Sequence, residues 1–138
     1  MTIWGYILEM PGRPKLAQQR IALSALGADV SEFGTVWRDK LDRAKRHATA
    51  GQTQLAGRND LIRAVVRGDR VCVADPMCLG VSPQDAGWFL EQMAEAGVTV
   101  AVNGDLFVIE PGADTAEVQS EFARRRNNFN AARSRGRV

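Results

Sequence analysis

The C-terminal segment carries the densest group of charged side chains in the sequence. From Phe122 to the last residue there are six arginines and no acidic residue: Arg124, Arg125, Arg126, Arg133, Arg135 and Arg137. The formal net charge of the whole chain is +2. Because these six arginines contribute +6, the rest of the chain has a formal net charge of −4. A guanidinium group can donate two parallel hydrogen bonds to the oxygens of one phosphate. A basic segment attached to a mildly acidic domain therefore indicates a nucleic-acid partner. We therefore predict that these six arginines contact DNA, weakly and without sequence preference.

The same segment has the spacing of a helix with one apolar face. From Asp114 to about Arg133 the pattern is helical, and Val118, Phe122 and Phe129 fall on one side. Burial of each phenylalanine would stabilise an association by roughly 1.5–3 kcal/mol, so we predict a homodimer with these three residues at its interface. The alternative is a solvated, fraying C-terminus whose charges serve solubility. We accordingly divide the chain into an α/β domain over 1–113 and a basic helix for dimerisation and DNA contact over 114–138.

The other reactive residue types do not form a catalytic or metal-binding pattern. The two cysteines are six residues apart and have no histidine near them, which is neither a zinc nor a redox spacing. His47, the only histidine, lies in a polar stretch and is expected to be solvated. Three aspartates, Asp39, Asp42 and Asp75, lack a spacing that brings metal ligands together. We expect no cofactor and no metal.

Cysteine usage and hydropathy point to the cytoplasm. Cys72 sits in an apolar run over 71–74, where a buried thiol acts as a small hydrophobic residue. We find no signal peptide, and no stretch approaches the roughly 18 apolar residues of a membrane span. Together with two cysteines that require no oxidising compartment, these features predict a cytoplasmic protein without a membrane partner.

Hydrophobic periodicity and turn residues predict the order strand, helix, strand, helix, strand, helix, strand, strand, helix. The predicted strands cover 2–8, 34–37, 70–74, 98–102 and 106–109, and the predicted helices cover 14–26, 59–66, 84–96 and 114–133. Asn59 or Asp60 is the expected cap of the second helix, and Ser82-Pro83 with Gly97 mark the ends of the third. The strands over 71–74 and 98–102 are expected to be adjacent and parallel. The stretch 41–57 is polar and reads as a mobile loop or a poorly packed helix. Alternation of this kind predicts an α/β fold: a mostly parallel central sheet with helices on both faces and a long C-terminal helix.

Six short segments, taken in order, resemble those of a known family. They are Gly5-Tyr6, the run QRIALSALG over 19–27, WRDK over 37–40, RNDL over 58–61, RGD over 67–69 leading to Asp75, and the arginine-rich 122–138. Together they resemble the N-terminal catalytic domain of resolvase/invertase-type serine recombinases across almost the whole chain. The resemblance implies a resolvase-like α/β domain over 1–113, with a dimer helix and DNA-contact arm at the C-terminus.

The positions that would carry the chemistry of that family have the wrong residues here. The resemblance implies a serine that attacks a DNA phosphodiester, with arginines stabilising the phosphate. Met10 stands where the serine belongs, while Leu8, Pro76 and Leu79 stand where arginines belong. A thioether cannot attack a phosphodiester, and loss of a single oxyanion donor already costs roughly 2.7–4 kcal/mol of transition-state stabilisation. We therefore expect a degenerate, non-catalytic member without any catalytic residue.

Part of the family pattern remains. Tyr6, Gln19, Arg58 and Asp75 match it, and Gln19 and Asp75 are best read as structural. Arg58 with Tyr6 is the predicted residual anion site. The alternative for Arg58 is a surface arginine that pairs with Asp60 or Asp75.

These observations lead to one functional hypothesis and two alternatives. The first is a catalytically inactive, dimeric, DNA-associated or regulatory factor, with phosphate-driven and salt-sensitive binding. The second is a protein-protein interaction module that retains the fold without DNA binding. The third is an unrelated enzymatic activity in the vacated cleft around Arg58 and Asp75.

Overall fold

The computed structural model describes residues 1–43, 50–103 and 106–135. The strands are β1 (Ile3–Glu9), β2 (Val36–Lys40), β3 (Arg70–Val73), β4 (Thr99–Val102) and β5 (Phe107–Ile109). The helices are α1 (Leu16–Ala25), α2 (Ala50–Gln54), α3 (Ala56–Ala64), α4 (Pro83–Ala96) and α5 (Ala116–Arg135), and a short 3₁₀ helix covers Pro76–Leu79.

The strands form one sheet in the order β2-β1-β3-β4-β5. Strands β1 to β4 are parallel, and β5 pairs antiparallel with β4. Val71 on β3 lies opposite Val100 on β4, and α4 connects these two strands with Leu90 and Met93 buried. The predicted α/β class and the parallel pairing of these two strands are confirmed.

Helices cover both faces of the sheet because side chains alternate along each strand. Ile7, Cys72 and Ala101 point to the face that packs on Leu23 of α1. The opposite face carries the larger cluster, in which α3, α4 and α5 pack on the residues that alternate with these. Both cysteines are buried, and burial raises the pKa of the Cys78 thiol to about 12.

Local signals place several helix ends correctly. The Ser82 hydroxyl accepts the Asp85 N–H at 3.1 Å, and Pro83 occupies the first turn of α4. Gly97 ends that helix in the left-handed conformation, at a φ of 74°. The C-terminal helix and the strand β5 also fall close to their predicted positions.

Other boundaries differ from the prediction. The second predicted helix, over 59–66 with Asn59 or Asp60 as its cap, corresponds to α3, which begins earlier, at Ala56. Its N-terminus is instead satisfied by Asp39, which is distant in sequence. Within 41–57, α2 forms a short helix, whereas 44–49, including His47, lie outside the described residues.

Two further properties concern metals and membranes. In the described part of the chain, no helix is long and apolar enough to cross a bilayer. Over the same residues, no group of histidine, cysteine and acidic side chains could hold a metal ion.

Candidate nucleic-acid interface

Arg58 is fully buried and lies against Phe89, a member of the large core cluster. Its two terminal nitrogens donate to the two carboxylate oxygens of Asp85, both at 2.8 Å, and one of them also donates to the Leu79 carbonyl at 3.0 Å. The guanidinium lies over the rings of Trp88 and Phe89, with its carbon 5.2 and 5.3 Å from their centroids. Arg58 is therefore the cation of an internal ion pair.

Tyr6, the second residue of the predicted anion site, is also closed off from solvent. Its hydroxyl donates to Asp39 at 2.6 Å, and the same carboxylate accepts the N–H groups of Gly57 and Arg58, both at 2.8 Å. Burial, and then the charge and hydrogen bond of Asp39, raise the pKa of Tyr6 well above its ordinary value. Asp39 thus takes the place at the α3 N-terminus that an external anion would occupy.

The prediction of a residual anion site at Arg58 and Tyr6 is therefore wrong, because the carboxylates of Asp85 and Asp39 already bind these two side chains. The alternative, a surface arginine paired with Asp60 or Asp75, is wrong as well. Gly80 shows how tightly the pair is enclosed, since a Cβ there would lie 2.3 Å from an Asp85 oxygen.

The three positions at which the resemblance implies arginines are apolar and inaccessible. Leu8, Pro76 and Leu79 are all buried, and only Met10 is partly exposed. A different arginine approaches this end of the sheet. Arg13 donates to the carbonyls of Met77 at 2.9 Å, of Gly80 at 2.7 Å and of Pro11 at 3.0 Å. Burial lowers the pKa of Arg13, yet these carbonyls hold the side chain in place.

A groove lies between this end of the sheet and α5. We call it the arginine groove, and its volume is about 460 Å³. Within the described part of the chain, four arginines and a single carboxylate line it, together with apolar side chains, one phenylalanine and one asparagine: Met10, Pro11, Arg13, Asp42, Arg43, Met77, Val81, Arg126, Phe129, Asn130 and Arg133. The balance of charge makes it an anion-attracting surface.

Helix α5 packs against its own domain, which contradicts part of the predicted dimer interface. Val118 is 2% exposed and Phe122 is fully buried, because α4 and the 3₁₀ helix supply the surface that covers them. The Gln119 amide donates to the Pro83 carbonyl at 2.9 Å. Phe129 is partly exposed and lines the arginine groove instead. Of the three predicted interface residues, only Phe129 reaches solvent.

The six C-terminal arginines have different environments. Arg124 and Arg125 both pair with Glu121, and Arg125 also pairs with Asp75 at 2.6 Å. Hydrogen bonds from Arg124, and then from Arg125, lower the pKa of Glu121 to about 2.

The remaining C-terminal arginines are less constrained. Arg126 and Arg133 line the arginine groove, and Arg135 is exposed. Arg137 lies outside the described residues. The structure therefore brings two of the six together at one concave surface, and their contact with DNA stays a prediction.

Sequence reasoning missed Arg13 and Arg43 as members of this surface. One signal for Arg13 was present. It lies in the turn Pro11–Pro14 that follows β1, and ligand sites of open α/β sheets form beyond the carboxyl ends of strands.

A second groove, of about 290 Å³, lies beside β5. Its lining includes the apolar residues Met93 and Val100 and three carboxylates, Glu91, Glu110 and Asp114. Its charge is opposite to that of the arginine groove.

Comparison with known proteins assigns this chain to no family. No protein-family model matches this chain. A search of curated proteins also finds no significant match. The likeness to serine recombinases consequently rests on the residues quoted above.

Proposed function

We propose that this protein is a non-catalytic, recombinase-like factor that associates with nucleic acid through the phosphate backbone. The observation that carries the proposal is the arginine groove, where, among the residues that the structure describes, four arginines face a single aspartate. Met10 at this groove offers no nucleophile, so the proposal includes binding and no strand cleavage.

The availability of the groove cations supports this function. Within the described residues, Arg43, Arg126 and Arg133 make no ion pair with a carboxylate. Cations without an internal partner release condensed counterions when they meet phosphates, which gives sequence-independent and salt-sensitive affinity. Exposed Arg135 extends the same charge along the end of α5.

A dimer is not required by this proposal. Val118 and Phe122 would bury no further apolar surface in a dimer, since both are already covered by their own domain. Of the three predicted interface residues, Phe129 alone is exposed enough to contact a second copy.

The test is fluorescence anisotropy with a labelled DNA duplex, titrated at low salt and then at rising salt. The variant Arg126→Ala/Arg133→Ala should weaken binding, and the slope of log affinity against log salt should fall by about 1–2. The matched control is Arg20→Ala/Arg67→Ala, which removes the same charge from exposed positions that do not line the groove.

Two results would contradict the proposal. One is the absence of binding even at low salt, and the other is an equal loss in the control variant. The first would favour the interaction-module alternative, for which the second groove, with its apolar floor and carboxylates, offers a surface for a basic peptide.

A further inference from the structure

We infer that the arginine groove accepts an unpaired nucleotide, so that the protein prefers single-stranded nucleic acid to duplex. This inference rests on the proposed function and specifies its ligand. It follows from three features of the groove: an apolar wall with an aromatic ring, cations beside that wall, and a pocket shape in which a duplex would reach the cations but not the wall.

The wall of the groove suits the flat face of a base. Phe129 lies beside Met10 and Met77, and all three side chains line the groove. The Arg133 guanidinium carbon lies 5.5 Å from the centroid of the Phe129 ring. Unpaired bases stack on aromatic rings and on guanidinium planes, and such stacking tolerates any sequence because every base has a π face.

The Phe129 ring is held in position by the turn after β1. Gly12 in that turn has a φ of +86°, and a Cβ there would lie 3.1 Å from the ring. Arg13 fixes the same turn to the 3₁₀ helix through the carbonyls of Met77 and Gly80. A ring held in advance loses little conformational freedom when a base stacks on it.

The polar groups beside the wall fit the other parts of a nucleotide. Arg43 and Arg126 line the groove and have no carboxylate partner among the described residues, so they are available to a phosphate. Asn130 carries both a hydrogen-bond donor and an acceptor, as recognition of a base edge requires.

The shape of the groove separates single strands from duplexes. Its volume of about 460 Å³ lies within the range of small-ligand pockets. In a duplex the bases stack within the helix, and only the backbone reaches a protein surface of this kind. A duplex would therefore use the arginines and leave the apolar wall unused, whereas a single strand would use both.

The experiment compares labelled probes of about 12 nucleotides at low salt, a length within the range of single-strand sites. The probes are a thymidine single strand, an abasic strand with the same phosphates, a uridine strand and a DNA duplex. We expect the single strands to bind about tenfold more tightly than the abasic strand, which is the effect of stacking one or more bases. The uridine and thymidine probes distinguish RNA from DNA as the source of the unpaired nucleotide, and tighter binding of either supports the inference.

The decisive variant is Phe129→Leu, which keeps an apolar side chain and removes the ring. It should reduce single-strand affinity to that of the abasic probe and leave duplex affinity unchanged. The matched control is Phe33→Leu, because Phe33 is 94% exposed and does not line the groove.

The outcomes separate this inference from the function on which it rests. Equal binding of all probes, with no effect of Phe129→Leu, would overturn the inference and leave phosphate binding intact. Absence of binding by every probe would overturn both. Equal losses in Phe129→Leu and Phe33→Leu would also overturn the inference, since the effect would then not be specific to the groove.

Discussion

Two regions of this protein contain arginines, and they differ in what surrounds them. In the core, Arg58 is fully buried and both terminal nitrogens meet the Asp85 carboxylate. In the arginine groove, Arg126 and Arg133 face solvent without such a partner among the described residues. The first arginine organises the interior, and the other two are available to an anion. The identity of the residue alone does not distinguish these roles, whereas the position of the nearest carboxylate does.

The largest effect is expected from breaking the buried pair. Asp85→Ala would leave the Arg58 charge buried and unpaired, and should lower the free energy of unfolding by about 3–5 kcal/mol. Urea denaturation at neutral pH measures this loss. The double variant Arg58→Met/Asp85→Leu should recover most of it, because an apolar pair of similar size replaces a buried ion pair at little cost. A loss below about 1 kcal/mol in the single variant would contradict burial of the pair.

The next effect concerns the helix that forms one wall of the groove. Phe122→Ala should lower the free energy of unfolding by about 3 kcal/mol, since Phe122 is fully buried by its own domain. The loss should not depend on protein concentration. A concentration-dependent loss, measured by denaturation across a dilution series, would instead place Phe122 at a dimer interface.

The smallest effect is expected from removing the carboxylate that pairs with two of the C-terminal arginines. Glu121 accepts hydrogen bonds from Arg124 and Arg125, so Glu121→Gln should release part of both charges. We expect severalfold tighter oligonucleotide binding and a salt slope steeper by up to about 1. Unchanged or weaker binding in the anisotropy titration would show that these two arginines do not contribute.

The same substitution has a defined pH dependence. The pKa of Glu121 is lowered from 4.5 to about 2, so its stabilising contribution is present above pH 4.5 and is lost as the pH falls through about 2. At neutral pH the native protein should therefore be more stable than Glu121→Gln, and this difference in the free energy of unfolding should disappear near pH 2. Glu117→Gln, also on α5, is the matched control, because no ion pair of Glu117 is found among the described residues.

The elements of the fold were predictable because their signals are local. The alternating apolar runs gave the strands, and Ser82-Pro83 with Gly97 marked both ends of α4. The start of α3 was not predictable in this way. Its N-terminal N–H groups bond to Asp39, which is 18 residues from Gly57, and no local cap precedes the helix.

The candidate site was only partly predictable because its members come from distant segments. The pattern of α5 correctly indicated an apolar face with Val118 and Phe122, but periodicity does not say whether the same domain or another copy covers it. Likewise, the partner of Arg58 lies 27 residues away, so nearby Asp60 was the obvious but incorrect choice.

The buried pair also has a consequence for how the protein folds. Arg58 belongs to α3, Asp85 to α4, and the carbonyl of Leu79 to the 3₁₀ helix between them. Neither charge can leave water favourably until the other has arrived, so an intermediate with only one of the two helices docked would contain an uncompensated charge. We therefore expect these three elements to assemble together, with intermediates that are docked halfway disfavoured.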